Sequence, residues 1–145
     1  MTTVSTMPGH LIRRLHQIST HVFTQRIRDA GLDFTPVQFS ALDALYHNPG
    51  VDQARLSEEV AKDRATIGSV VDRLERKGLV ARDVSETDRR ARRLVLTPEG
   101  ETLLAALYPV VDALQADILG GLTQAEYRQF VDLAAKVAGH PRSDN

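Results

Sequence analysis

Apolar residues along the chain recur mostly at intervals of three and four, which is the period of an amphipathic α-helix. The first such stripe predicts a helix that ends near Gly31. Its members are Leu11, Leu15, Ile18 and Val22. A second helix is predicted after Thr35, because Thr35, Pro36 and Gln38 form a capping-box pattern with proline at the first helical position. The sequence Asn-Pro-Gly at 48–50 should end it.

Two short helices are predicted next, only a few residues apart. Asp52 and Asp63 are their expected N-caps, and Gly78 is the expected left-handed cap that ends the second of them. Closely spaced helices of this kind are typical of a helix-turn-helix, in which the second helix enters the DNA major groove.

After Gly78 the hydrophobic period changes from helical to strand-like. Residues 79–84 and 93–96 predict two antiparallel strands, with residues 85–92 as a polar hairpin tip. The tip and the adjoining residue contain four arginines, namely Arg89, Arg90, Arg92 and Arg93. A basic hairpin directly after a helix-turn-helix is a wing.

Two further helices are predicted after the hairpin. One begins at Thr97 and ends at the glycine pair 120–121, and the other begins with a second capping box at Thr123 and Glu126. The predicted fold class is therefore mainly α with a small β-hairpin wing.

The composition is that of a soluble globular protein with a single domain. The chain has 145 residues, of which 42% are hydrophobic and 26% charged. It has no cysteine, which excludes a disulfide framework, a thiolate nucleophile and a cysteine zinc site. Because the N-terminus lacks a long apolar run, we expect neither a signal peptide nor a membrane span, and a cytoplasmic location.

The formal net charge of −1 does not favour a nucleic-acid partner, but its distribution does. Residues 62–93 contain ten Lys or Arg and six Asp or Glu, a net charge of +4, whereas the remaining eight basic and thirteen acidic residues give −5. The positive field is therefore concentrated on the predicted helix-turn-helix and wing.

Two segments resemble the MarR family of transcriptional regulators. They are DRATIGSVVDRLERKGL at 63–79 and TDRRARRLVLTPEG at 87–100. The family's wing motif, an Asp-x-Arg pair leading into a strand that ends Leu-Thr, is matched by Asp88, Arg90, Leu96 and Thr97. The resemblance implies a homodimer with two DNA-binding lobes on a palindromic operator, and in many members a small-molecule pocket between lobe and dimer domain.

Dimerisation also has support from the residues themselves. The lobe at 35–97 can bury only part of the apolar surface, so the stripes of the terminal helices need partners. We therefore predict an N-terminal dimerisation helix at 1–34, a winged helix-turn-helix lobe at 35–97 and C-terminal dimerisation helices at 98–145.

The fourth predicted helix supplies candidate DNA-binding residues. If Ile67, Val71 and Leu74 point inward, the opposite face is polar. The candidates for base edges are Arg64, Thr66 and Ser69, with Gly68 allowing close approach of the backbone. Arg73 and Arg76 are candidates for phosphate contacts, and the alternative is that they form ion pairs with Asp72 and Glu75.

The wing supplies a second set of candidates. Arg89, Arg90 and Arg92 are expected to enter a minor groove, with Asp88 orienting one of them through a charge-assisted hydrogen bond. The alternative is a wing that contacts only phosphate.

The first helix carries a polar stripe suited to an aromatic carboxylate. It consists of His10, Arg14, Gln17 and His21, with Arg13 adjacent. The segment MPGHLIRRLHQI at 7–18 also resembles the start of MarR members that regulate aromatic-acid degradation. Tyr46 and His47 are candidates for the same cleft, with core packing as the alternative for Tyr46. The stripe itself has the alternative of an ordinary polar edge at a dimer interface.

Enzyme motifs are absent from the sequence: it has no glycine-rich phosphate loop, nucleophile elbow or His-Glu-x-x-His metal site. We therefore expect no enzyme activity, cofactor or metal. The predicted function is a DNA-binding regulator, a repressor released from a pseudo-palindromic operator by a small molecule such as an aromatic carboxylic acid. The alternative is a winged-helix module that binds protein or RNA.

Overall fold

A computed structural model describes residues 3–60, 64–84 and 92–139, apart from the side chains at 64, 84 and 92. After a short 3₁₀ turn at Val4–Thr6, the elements follow in the predicted order. They are α1 (Pro8–Asp29), α2 (Pro36–His47), α3 (Gln53–Val60), α4 (Arg64–Arg76), β1 (Val80–Val84), β2 (Arg92–Leu96), α5 (Pro98–Ile118) and α6 (Gln124–Val137).

The mainly helical fold class with one antiparallel hairpin is confirmed. In the hairpin Val80 pairs with Leu96 and Val84 with Arg92. Arg92 therefore belongs to β2, and its prediction as part of the hairpin tip was wrong, because the ladder extends one residue further than the apolar pattern of 93–96. Leu94 also forms an isolated antiparallel bridge with Val51, which attaches the hairpin to the segment after α2.

Capping interactions predicted at Thr35, Thr123 and Asp52 are present, whereas the predicted cap at Asp63 lies outside the described residues. The Thr35 hydroxyl accepts the Gln38 N–H at 3.1 Å, while the Gln38 side chain accepts the Thr35 N–H at 3.0 Å. Thr123 and Glu126 form the same reciprocal pair at the start of α6. A carboxylate oxygen of Asp52 accepts the Arg55 N–H at 2.8 Å in the first turn of α3.

Within the described residues, the helices α1 through α5 and both strands contribute to a common hydrophobic core. It is formed by Phe23, Ile27, Phe34, Ala41, Leu42, Leu45, Leu56, Ile67, Val71, Leu74, Leu79, Val80, Leu94, Leu104, Leu107, Val111 and Leu114. The α1 residues in this core are Phe23 and Ile27, which continue the predicted stripe, whereas Leu11 at its start is exposed. Core residues lie on both sides of the predicted boundaries at 34/35 and 97/98. The division into dimerisation and DNA-binding regions therefore stays a prediction.

Helix α6 contributes no buried residue within the described chain. Its apolar residues Leu133 and Val137 are 59% and 83% exposed. In the part of the chain that the structure describes, no helix is long and apolar enough to cross a membrane.

Candidate nucleic-acid interface

Helix α4 has the orientation that the sequence predicts. Ile67, Val71 and Leu74 are fully buried, while the opposite side of the helix is exposed. The exposed residues include Ala65, Thr66, Ser69, Asp72, Arg73 and Arg76. The structure thus places a polar, partly cationic face toward solvent on the second helix of a helix-turn-helix.

The end of α4 is fixed by a Schellman motif. Gly78 has φ +76°, its N–H donates to the Glu75 carbonyl at 2.9 Å, and the Leu79 N–H donates to the Leu74 carbonyl at 3.0 Å. This confirms the predicted left-handed cap. The chain therefore leaves α4 in a defined direction and enters β1 after three residues.

Lys77 is held by contacts that the sequence did not reveal. Its Nζ donates to the Asp33 carbonyl at 3.0 Å and lies 4.4 Å from the centroid of the Phe34 ring. This basic residue therefore connects the end of α4 to the segment before α2.

Gly68 lies against α3. A Cβ at this position would lie 3.0 Å from Nε2 of Gln53, which is closer than most real contacts. The small residue therefore allows the two helices of the helix-turn-helix to approach each other closely. Its predicted approach to DNA remains a prediction, and Gln53 is the neighbour that sequence reasoning missed.

The two carboxylates on α4 are paired with a strand residue. Arg82 of β1 donates from Nη2 to an Asp72 carboxylate oxygen at 2.7 Å, and its Nη1 lies 3.5 Å from a Glu75 carboxylate oxygen. The alternative in which Arg73 and Arg76 form these ion pairs was wrong. Arg76 donates to the Asp72 backbone carbonyl at 3.4 Å, and Arg73 has no hydrogen bond or ion pair with the described residues.

Several candidate residues lie wholly or partly outside the described part of the chain. Asp88, Arg89 and Arg90 are outside the described ranges, and the side chains of Arg64 and Arg92 are likewise not described. Their expected contacts stay predictions from the sequence.

The hairpin and α5 meet in a close backbone joint. The Thr97 N–H donates to the Leu79 carbonyl at 3.0 Å. The Thr97 hydroxyl donates to the Gly78 carbonyl at 2.6 Å and accepts the Gly100 N–H at 3.0 Å. Thr97 thereby joins the end of α4, the start of β1 and the first turn of α5.

The polar stripe of α1 is largely exposed. Arg14, Gln17, His21 and the adjacent Arg13 are exposed, His10 is half-buried, and Arg14 Nη1 donates to Gln17 Oε1 at 3.5 Å. These side chains therefore form an accessible polar surface on the first helix.

Tyr46 is 54% exposed, so its alternative prediction as a core residue was wrong. Its ring packs edge to face on His47, with the ring centroids 5.3 Å apart. Within the described ranges, no hydrogen bond, ion pair or ring contact connects Tyr46 to the α1 stripe.

A polar contact between α2 and α5 was also missed. The Tyr108 hydroxyl donates to the Asp43 carboxylate, and the Tyr108 ring packs edge to face on Phe39 with centroids 5.6 Å apart. Burial, together with the Asp43 hydrogen bond, raises the pKa of Tyr108 to about 12. The contact joins residues 65 positions apart, which helical periodicity cannot detect.

Comparisons with known proteins agree with this architecture. A sequence profile of the MarR family matches residues 32–91. The transcriptional regulator HosA of Escherichia coli O157:H7 is 34% identical over 128 residues, which cover 88% of this chain and 92% of HosA.

Solved structures extend the similarity to the three-dimensional fold. Bordetella bronchiseptica BpsR, whose DNA binding is regulated by 6-hydroxynicotinic acid, has a TM-score of 0.87 and 31% identity, covering 95% of this chain and 97% of BpsR. Streptomyces coelicolor PcaV in complex with its natural ligand has a TM-score of 0.84 and 34% identity, covering 96% of both chains. The repressor CouR bound to a 23-mer DNA duplex has a TM-score of 0.83 and 29% identity, covering 93% of this chain and 94% of CouR. The chain therefore belongs to the MarR family of transcriptional regulators, with a winged-helix fold.

Proposed function

We propose that the chain is a homodimeric repressor that binds a pseudo-palindromic DNA operator and is released by a small aromatic carboxylate. Helix α4 enters the major groove, and the arginine-rich hairpin contacts the adjacent minor groove or the phosphates. The observation that carries the proposal is the exposed polar face of α4, where Thr66, Ser69, Arg73 and Arg76 lie opposite the buried apolar face.

The charge on this face supports DNA as the partner. Arg82 engages both carboxylates of α4, so Arg73 and Arg76 are not consumed by ion pairs with them. Arginines in such positions can bind phosphates, while Thr66 and Ser69 near the start of the helix can reach base edges. The roles of Arg64, Gly68, Asp88, Arg89, Arg90 and Arg92 belong to the same proposal on their sequence positions alone.

The dimer rests on apolar surface that a single chain leaves uncovered. Leu133 and Val137 of α6 and Leu11 and Ile12 of α1 are exposed. A helix of 14 residues is marginal in water unless an apolar face packs against something. In the proposal the regions 1–34 and 98–145 supply this packing between two copies, and the region 35–97 binds DNA.

A sedimentation experiment at micromolar concentration tests the dimer. The expected result is a single species of twice the chain mass, with the α6 variant Val137→Asp shifting it toward monomer. A folded wild-type monomer at that concentration would contradict the proposal.

The DNA experiment uses duplexes from the region that flanks the gene, in a mobility-shift assay. A C2 dimer presents two equivalent recognition helices, so we expect a pseudo-palindromic site with half-site centres about 10 bp apart. Single-stranded RNA of matched length is the competitor, and preference for it would favour the alternative of an RNA-binding winged helix.

Two variants separate base reading from phosphate binding. Ser69→Ala should reduce discrimination between operator variants, because a specific base contact is worth about 1–3 kcal/mol. Arg73→Ala should weaken all duplexes alike and reduce the salt dependence. Equal losses on operator and random DNA for both variants would refute the assignment.

The effector is proposed from the α1 stripe, with His10, Arg13, Arg14, Gln17, His21 and Tyr46 as candidate ligand residues. An anion held by Arg13 or Arg14 on α1 can change DNA affinity only if its own affinity for the dimer differs between one separation of the two lobes and another. Operator DNA must then weaken ligand binding by the same factor.

A panel of benzoate-like, hydroxycinnamate-like and pyridine-carboxylate-like acids tests this step by calorimetry and by release of labelled operator. Arg13→Ala and Arg14→Ala should weaken binding of the active acid, since each removes a cation that can pair with its carboxylate. If no acid binds, or if both variants bind it like the wild type, the stripe is ordinary surface.

A further inference from the structure

Two carboxylates lie on the helix that is proposed to enter the major groove. Asp72 and Glu75 are three residues apart on α4, so they share one side of the helix. Both are exposed, and they stand beside Arg73 and Arg76. Negative charges in this position oppose the approach of DNA phosphates unless another group compensates them.

Arg82 lies on the side of the hairpin that faces the hydrophobic core. It shares a strand face with Val80, which is buried, and it pairs in the ladder with Leu94, which is also buried. An arginine on an inward strand face normally needs a partner. The Arg82 side chain is only 20% exposed, whereas that of Asp72 is 55% exposed. A mostly buried strand residue thus binds an exposed carboxylate on the helix.

One guanidinium serves both acids through different nitrogens. Nη2 is 2.7 Å from an Asp72 oxygen and Nη1 is 3.5 Å from a Glu75 oxygen. A planar guanidinium can make such a two-pronged contact, and a lysine ammonium on its flexible stem cannot reproduce it. The contact also joins β1 to α4, so it holds the hairpin against this helix.

We propose that Arg82 is a positioning residue for DNA binding, which neutralises the carboxylates of α4 and holds the wing against this helix without contacting DNA. The inference rests on the proposed function, because it assumes that α4 faces a duplex. Asp72, Glu75 and Arg82 together carry a net charge of −1. Without the Arg82 charge, the two carboxylates carry −2 with no cation bound to them.

The test measures binding of fluorescent duplexes by anisotropy at several salt concentrations, using operator and random DNA. Arg82→Gln should weaken binding to both duplexes about tenfold at 0.1 M salt, because two unpaired carboxylates then face the phosphates. Adding Asp72→Asn and Glu75→Gln to Arg82→Gln should restore affinity to within about threefold of the wild type, since the repulsion is then removed.

Arg26→Gln is the matched control. Arg26 also joins two elements through an aspartate, with Nε 3.0 Å from an Asp117 oxygen, but it does so between α1 and α5. The Arg26→Gln variant should bind DNA with the affinity of the wild type, provided that sedimentation gives the same mass for the variant and the wild type. Circular dichroism of each variant establishes folding. If Arg82→Gln is unfolded, Arg82→Lys replaces it, with an expected loss of about threefold.

The outcomes separate the possible failures. Wild-type affinity for the Arg82 variant overturns the inference while leaving the proposed function intact. A loss that the carboxylate substitutions do not relieve also overturns the inference, because neutralisation of the two acids is then not what Arg82 contributes. If the slope of log affinity against log salt concentration also falls by about one, Arg82 contacts a phosphate itself. Failure of the wild type to bind any duplex overturns the proposed function together with the inference.

Discussion

Replacing Gly100 with alanine tests the joint between the hairpin and α5. A Cβ at this position would lie 2.1 Å from the Leu79 carbonyl oxygen and 3.1 Å from its carbonyl carbon. A close carbon–oxygen contact in proteins is about 3.3 Å, so the two backbone segments must separate by roughly 1 Å. Because the obstacle is backbone, no side-chain rotation can relieve the clash.

The loss of stability can be estimated from the backbone groups that meet where the hairpin contacts α5. The same Leu79 carbonyl accepts the Thr97 N–H at 3.0 Å, and the Thr97 hydroxyl accepts the Gly100 N–H at 3.0 Å. Overpacking costs about 1–3 kcal/mol, and each weakened hydrogen bond adds about 1 kcal/mol or less. We expect Gly100→Ala to lower the free energy of unfolding by about 3 kcal/mol, which lowers Tm by about 10 °C in a chain of this size.

The assay is thermal and urea unfolding followed by circular dichroism at one fixed chain concentration, since the proposed dimerisation would make Tm concentration-dependent. Gly9→Ala is the matched control: Gly9 also lies in the first turn of a helix that begins with proline, but nothing lies within 4 Å of its added Cβ. The control should equal the wild type or gain up to about 1 kcal/mol. A Gly100→Ala protein within about 1 kcal/mol of the wild type would refute the reasoning.

Two other positions give further tests by urea unfolding. Gly78→Ala should cost only about 1–2 kcal/mol, because its φ of +76° is strained for alanine while nothing lies within 4 Å of the added Cβ; a loss as large as that of Gly100→Ala would contradict this. Tyr108→Phe should cost about 1–2 kcal/mol at pH 7, because Asp43 loses a hydrogen-bond donor. Since the pKa of Tyr108 is raised from 10.0 to about 12, its stabilising effect should be complete below pH 10 and decline as the pH rises toward 12. Phenylalanine cannot ionise, so this decline should be absent from the variant, and identical pH profiles would disprove the coupling.

Features fixed by neighbouring residues could be predicted from the sequence. The capping box at Thr35 depends on a residue three positions away, and the Schellman motif at Gly78 depends on the last turn of α4. The buried face of α4 follows from its spacing in the same way. For these elements, the local sequence contains both partners of the interaction that decides the structure.

Contacts between distant segments could not be predicted in this way. The sequence suggested partners for Asp72 and Glu75 on their own helix, because i,i+3 and i,i+4 pairs are the geometry that a helical pattern reveals. The structure instead supplies Arg82 from a strand, since the chain reverses at Gly78 and brings β1 back along α4. The Tyr108 contact with Asp43 depends likewise on how α5 packs on α2, which only the folded core determines.

These distant contacts bear on how the proposed switch can operate. Arg82 joins β1 to α4, and Thr97 joins the end of α4 to the first turn of α5. We therefore expect a rearrangement of α5 to move α4 and the hairpin together, because changing their relative position requires breaking the Arg82 ion pairs or the Thr97 hydrogen bonds. Under the proposed mechanism, a ligand on α1 then acts on the separation of two lobes that keep their internal shape. It follows that the ligand should weaken operator binding strongly and change the preferred half-site sequence little.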